Sequence, residues 1–376
     1  MTEASFYESL RLQLKNKKPF VVYSRPIYDD IKCWLQQDDE LHLTHTFQEN
    51  GFVFAPYKLE KGAVLFPESK SKIHNLKTKS DQVKKKASQI HIKNNPDLEQ
   101  SHTALVKKAI DRIKNDALQK VVLSRQEEVP IQTEHPLEIF KKLYNAYRQA
   151  MVYCWYHPKI GLWLGATPEL LFKIEGFHLT AISLAGTQKV VNDEAPTWAY
   201  KEIEEQQIVT DYIANQLKPY VEDVNIRERN SVKAGPLWHL KTRIIAKLKE
   251  SYRIKNIIEA MHPTPAVCGF PKSEAMNFID THEGYDRSYY TGFLGELNLT
   301  KTISRNTRRR NIENNVFKSV KTYSNFYVNL RCMKLKENQA TIYVGGGITK
   351  DSSPKDEWKE TVNKTKTMLK VLNQGL

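Results

Sequence analysis

Cysteine is scarce in this chain: four in 376 residues, at Cys33, Cys154, Cys268 and Cys332, with no CxxC spacing among them. That argues against a zinc site or a disulfide framework and fits a reducing compartment, so the chain reads as cytoplasmic. Long apolar runs are missing too. No stretch approaches the 18 apolar residues of a spanning helix, and Met1-Thr2-Glu3-Ala4-Ser5 opens no run of signal-peptide length, so no membrane insertion is expected. Internal repeats are absent. The two basic concentrations, residues 70–93 and 305–321, lack the interleaved aromatics of a base-stacking surface, which speaks against a nucleic-acid partner. What remains is a chain long enough for one large or two ordinary domains, 40% hydrophobic, with a formal charge of +14. Such a charge suits a polyanionic partner, an anionic small substrate in a basic cleft, or solubility alone.

One stretch near the C-terminus organises the reading. Tyr343-Val344-Gly345-Gly346-Gly347-Ile348 predicts a strand and a glycine loop, and Ser352-Ser353-Pro354-Lys355-Asp356-Glu357 starts a helix with Ser353 able to cap and Pro354 at the first position. At about 100° per residue, Glu357, Glu360 and Lys364 fall within roughly 60° of one another beside the stripe Trp358, Val362, Thr365, Leu369 and Leu372. A solvated salt-bridge ladder accounts for that pattern. So does an anion or cation site, because glycine amides without side chains approach ligands closely.

Earlier in the chain, residues 17–67 read as short strands around a helix near Ile31 to Leu35, and residues 68–100 as a solvated, lysine-rich helix or connector. A helix follows over residues 102–118, then the strand Lys120-Val121-Val122-Leu123-Ser124-Arg125, a helix at residues 137–147, and strands at residues 151–156 and 161–164. Gly165-Ala166-Thr167-Pro168-Glu169 reads as a turn and residues 170–182 as a hairpin about Glu175-Gly176. Residues 198–217 form a helix with Glu205 in the middle of its apolar face, and a carboxylate there needs a buried cation, either a lysine or a metal. With Glu357 and Glu360 it would make an all-oxygen set, suited to Mg²⁺ rather than zinc. Residues 239–248 read as another helix and His262-Pro263-Thr264-Pro265-Ala266-Val267-Cys268-Gly269-Phe270-Pro271 as a rigid loop. A helix at residues 272–280, a strand entered from residues 286–295, a strand Phe326 to Cys332 and a basic hairpin insertion at residues 300–319 complete the series.

Taken together, six motifs in order resemble the chorismate-utilising enzymes, the anthranilate synthase component I-like family, and within it the isochorismate synthases. They are Lys120 to Arg125, Gly165 to Leu170, Leu184-Ala185-Gly186-Thr187, the 262–271 loop, Leu330-Arg331-Cys332, and Gly345 to Lys364. The resemblance covers roughly residues 100–372 and implies a single large α+β domain, with layered antiparallel sheets flanked by helices. Residues 1–100 would be a loosely matched N-terminal part of that fold and residues 101–376 its catalytic region. It further implies Mg²⁺ as cofactor and chorismate as substrate, with water added at C2 while the C4 hydroxyl departs. Lys120 would be the general base and Glu169 the general acid; Glu205 and Glu360 would hold the metal, with Glu357 adjacent. Arg331, Gly345, Gly346, Gly347 and Lys364 would secure carboxylates, while Ala185, Gly186, Thr187, His262, Thr264 and Ala266 would line the substrate. These roles ask for a neutral amine at Lys120 and a carboxyl at Glu169 that keeps its proton.

Within the family, aminating relatives usually carry glutamine where Lys120 stands, and one branch has lysine at the position of Ala185, so water is the expected nucleophile. The runner-up is salicylate synthase, which goes on to eliminate pyruvate. A reading of another class is a catalytically idle basic binding protein. The product would feed menaquinone or siderophore synthesis. A monomer is the default, and the basic insertion at 300–319 is a candidate docking element for another protein.

Overall fold

The computed structural model describes residues 1–26, 28–78, 95–115, 118–131, 135–189, 196–234, 237–303 and 319–372. In chain order the elements begin with α1 (Glu3–Lys15), β1 (Phe20–Ser24), β2 (Asp30–Gln36), β3 (Leu43–Thr44), β4 (Gly51–Ala55), β5 (Ala63–Pro67) and β6 (Ser71–Lys77). The middle of the chain supplies α2 (Pro96–Lys114), β7 (Lys120–Pro130), α3 (Pro136–Ala146), β8 (Met151–His157), β9 (Gly161–Thr167), β10 (Leu170–Glu175), β11 (His178–Lys189) and α4 (Tyr200–Leu217). Next come β12 (Val221–Ile226), β13 (Asn230–Ala234), β14 (Leu237–Leu248), α5 (Ile254–Met261), β15 (Gly269–Phe270) and α6 (Lys272–His282). The last are β16 (Phe293–Ile303), β17 (Ser319–Val328), β18 (Cys332–Lys336), β19 (Gln339–Ile348) and α7 (Pro354–Leu372).

The strands build two antiparallel sheets. One runs β15-β7-β19-β18-β9-β8-β1-β2-β6 and the other β12-β14-β11-β10-β17-β16-β4-β5-β3, with β13 beside β14. Strand alternation gives each sheet two apolar faces. Outer faces carry helices: Phe6, Phe140 and Leu369 of α1, α3 and α7 pack on the first sheet, and Val209, Ile213 and Ile257 of α4 and α5 on the second. Between the sheets lies an aromatic layer in which Phe54 meets Trp155 at 4.8 Å and Tyr289 at 4.5 Å. This is the expected α+β layering, and the first hundred residues contribute strands to both sheets.

Several local expectations are corrected. Ile31 to Leu35 is strand, not helix: Ile31, Cys33 and Leu35 enter the core under the helices while Trp34 enters the aromatic layer. Residues 239–248 are likewise strand, with Leu240, Thr242, Ile244, Ala246 and Leu248 buried at alternate positions. The glycine loop is the end of β19, paired residue by residue with β7. Gly165 to Thr167 closes β9, which leaves Pro168-Glu169 as the turn. Strand Phe326 to Cys332 is broken, because the chain leaves β17 and enters β18 of the other sheet through Asn329-Leu330-Arg331. Of the lysine-rich segment, residues 71–77 form the edge strand β6 and α2 starts at Pro96; residues 79–94 lie outside the described residues. The basic insertion falls largely on residues 304–318, also outside them, and its flanks pair as far as Ile303 with Ser319.

Candidate active site

Lys120 opens β7, and its buried ammonium donates to Glu205 Oε1 on α4 at 2.7 Å. Beside it, β19 pairs with β7 in a register that sets Gly345, Gly346 and Gly347 against Ser124, Leu123 and Val122. The amide of Ser124 goes to Glu283 and that of Val122 to Cys268 O, so neither is spent on β19. By strand alternation, Gly346 is then the ladder-bonded residue, while Gly345 and Gly347 turn their main-chain groups away from β7. Gly345 O accordingly accepts from Lys364 Nζ at 2.7 Å. Of the three glycine amides expected to meet substrate, Gly346's is committed to the sheet.

The glycines also make room. A Cβ on Gly347 would stand 2.9 Å from Lys120 Cε, and one on Gly346 would stand 3.0 Å from Glu357 Oε2. Directly after β19, α7 brings in Glu357, which accepts from Ser352 Oγ at 2.7 Å, and Glu360, paired with Lys364 at 2.6 Å. The Glu360–Lys364 pair expected from the helical spacing is therefore present, and both carboxylates lie within 4 Å of a Cβ on Gly346, Glu357 at 3.0 Å and Glu360 at 3.9 Å.

Glu169 sits in the two-residue turn after β9. Thr167 Oγ1 donates to Val328 O at 2.6 Å, and Val328 N donates to Glu169 O at 3.0 Å, so the turn is fastened to the end of β17. Burial pushes the Glu169 carboxyl up to about 7, although Lys120, Lys364 and Arg331 all pull it down. Arg331 occupies the crossing between the sheets with a left-handed φ of 48°, and donates to Thr367 Oγ1 on α7 at 3.0 Å. Burial lowers its pKa, opposed by Tyr290, Glu360, Tyr147 and Glu169. Lys120, Glu169, Arg331, Glu360 and Lys364 thus form one electrostatic neighbourhood, drawn from both sheets and α7.

The remaining expected residues divide. Gly186, at φ 71°, forms a bulge in β11 between Ala185 and Thr187, and its carbonyl accepts from His239 Nδ1 at 3.2 Å. A Cβ there would come within 3.3 Å of Glu202 Cβ. His262 is a core residue instead: its Nε2 meets Tyr57 O at 3.0 Å, its ring packs edge-on to Phe293, and burial lowers it to about 4. Thr264 is buried, with its carbonyl accepting the amides of Val267 and Cys268, and Ala266 is half-buried. The 262–271 loop acts on the site through its backbone, because Gly269 and Phe270 pair with Val121 and Lys120.

His239 was missed. It lies on β14, whose alternation was read as a helix, and the charges of Arg331 and Lys364 act on it. Tyr290 was missed as well; its hydroxyl would be 2.9 Å from a Cβ on Gly345.

For a cation, the donors Glu205, Glu357 and Glu360 are all oxygen, the set a hard ion takes. Glu205 and Glu360 are each neutralised here by a lysine. Among the described residues, the cluster whose ligand atoms all lie within 4.8 Å of one another is a different one, Asp38, Glu40 and His42, and Lys70 is salt-bridged to both of its carboxylates.

The comparisons with known proteins agree with this architecture. The family model described as chorismate binding enzyme matches residues 53–302 and 318–373. Isochorismate synthase MenF of Pasteurella multocida is 29% identical over 287 residues, covering 72% of this chain and 61% of that protein. Isochorismate synthase EntC of Escherichia coli K12 is 30% identical over 264 residues, covering 67% and 62%. The salicylate biosynthesis isochorismate synthase of Pseudomonas aeruginosa is 29% identical over 279 residues, covering 72% and 54%. The chain therefore spans somewhat over half the length of these relatives. Among solved structures, DhbC of Bacillus anthracis superposes with a TM-score of 0.73 at 24% identity, over 97% of this chain and 99% of that one. MenF of Escherichia coli also gives 0.73, at 19% identity, over 94% and 89%. With the six motifs set on two facing sheets and the family model spanning most of its length, the chain belongs to the chorismate binding enzymes.

Proposed function

We propose that the chain is an isochorismate synthase, adding water to C2 of chorismate while the C4 hydroxyl leaves. The observation that supports this most directly is Glu169: a carboxyl held at about 7 among three cations is a proton donor at neutral pH. In this reading Glu169 protonates the departing hydroxyl, and Lys120 is the base for the attacking water. One water enters and one leaves, so the step is an isomerisation. Arg331, Lys364 and the outward amides of Gly345 and Gly347 bind the two carboxylates of the substrate, a dianion that needs such donors. Glu205 and Glu360, with Glu357 beside them, are the residues that would hold Mg²⁺, which when bound offsets the charge of the ring carboxylate.

The test is to incubate purified protein with chorismate and Mg²⁺ and to separate the products. Isochorismate alone supports the proposal. Salicylate with pyruvate would replace it with salicylate synthase, and unreacted chorismate would remove both. Glu360→Ala is expected to abolish the response to added Mg²⁺; an unchanged response would return Glu360 to the role of a salt-bridge partner for Lys364.

A further inference from the structure

β14 carries two rows of side chains. Leu240, Thr242, Ile244, Ala246 and Leu248 form the buried row. The opposite row is His239, Lys241, Arg243, Ile245 and Lys247. At one end of it, His239 lies in the field of the substrate-binding candidates Arg331 and Lys364. Near the other end, Lys247 is neutralised by Glu222 at 2.6 Å. Between them stand half-buried Lys241 and exposed Arg243, about 7 Å apart along the strand.

Among the described residues, the register partners of this pair on β11 and β13 are not acidic. Lys241 lies opposite Leu184 on β11 and Asn230 on β13, and Arg243 lies opposite Ile182. Burial lowers the pKa of Lys241, and the charge of Arg243 lowers it further. Like charges on one face of a strand work against the fold. Two such cations beside a site for a dianion are explained by the ligand better than by packing.

We infer that Lys241 and Arg243 form a cationic ramp along β14 that gathers a small dianionic substrate and passes it towards His239 and the active site. The inference rests on the reading of the site as one for chorismate. Its chemistry is long-range attraction, so its signature is salt dependence rather than a change in the chemical step.

The experiment compares the wild-type protein with the double variant Lys241→Ala/Arg243→Ala, with chorismate and Mg²⁺, at about 20 mM and about 300 mM salt, the lower salt leaving surface charges largely unscreened. In the double variant kcat should be unchanged, kcat/KM at low salt should fall about tenfold, and the decline of kcat/KM with salt should flatten. The charge-preserving variant Lys241→Arg/Arg243→Lys should keep the wild-type salt slope. A double variant with the wild-type kcat/KM and slope overturns the ramp. Should the wild-type protein make no isochorismate, the site reading falls first, and the ramp is judged by calorimetric binding of chorismate at low salt. Weaker binding by the double variant then supports it; equal affinity, or no binding by the wild type, overturns it.

Discussion

Glu169 and the glycines of β19 are the residues on which single substitutions say most. On the proposed role of Glu169 as proton donor, kcat should fall as pH rises through about 7, and Glu169→Gln should abolish turnover in a folded protein. A pH profile with no descending limb between about pH 6 and 8 would separate Glu169 from proton donation. The same shift has a stability sign. The folded-state value lies above that of an unfolded glutamate, so this contribution is complete below about 4.3 and is lost as pH rises through about 7. At Gly347 an added methyl meets the Lys120 side chain, whereas at Gly346 it meets the end of a glutamate. Gly347→Ala is therefore expected to lower kcat by about 10²-fold, the scale of an ångström-sized misplacement, with Gly346→Ala near wild type. Equal effects in the two variants would show that the glycines do not divide the site in this way.

At the scale of elements, β7 is held by a buried pair behind it. Arg287 and Glu283 are salt-bridged with almost no exposure; Glu283 accepts from Ser124 N, and Arg287 donates to Val122 O and Val267 O. This pair joins the strand that starts with Lys120 to the 262–271 loop. Glu283→Gln leaves Arg287 buried without its anion and should cost about 3–5 kcal/mol in urea unfolding. An effect under about 1 kcal/mol would mean that the hydrogen bonds alone hold the strand. Legibility in the sequence follows the same elements. Helices α3, α4, α6 and α7 were readable from their apolar stripes, aided at α7 by Pro354; the carboxylate on the apolar face of α4 led to Glu205, and the motif running into α7 led to Glu360. β14 was not, since Leu240, Ile244 and Leu248 satisfy a helical period as well as a strand's, and only Thr242 and Ala246 between them decide for period two. That one misreading hid His239. The Gly346 amide was misassigned for a related reason: which amides of a glycine run are outward depends on register, which no run of residues contains.

The whole molecule depends on two sheets keeping their spacing. Glu296 on β16 is buried and accepts from Tyr23 Oη at 2.6 Å and Lys32 Nζ at 3.0 Å, both on the other sheet, and from Arg25 at 3.0 Å. Burial would raise its pKa, but Arg25, Lys32 and Tyr23 outweigh burial and hold it below the usual value. For a lowered carboxylate the stability is present above about 4.3 and is lost as pH falls through the depressed value, so acid unfolding should begin below about pH 4. Glu296→Gln should weaken that acid transition and lower stability at pH 7 by about 3–5 kcal/mol; an unchanged acid midpoint would rule out this link between the sheets. The crossing at Arg331 gives the spacing a second meaning. A guanidinium placed where the chain steps from one sheet to the other reports on both, so loosening the middle layer should also loosen the substrate grip proposed for Arg331. Heat inactivation should then track the melting of the Phe54 and Trp155 layer, and an engineer seeking a longer-lived catalyst would do better to fill that layer than to tighten the surface.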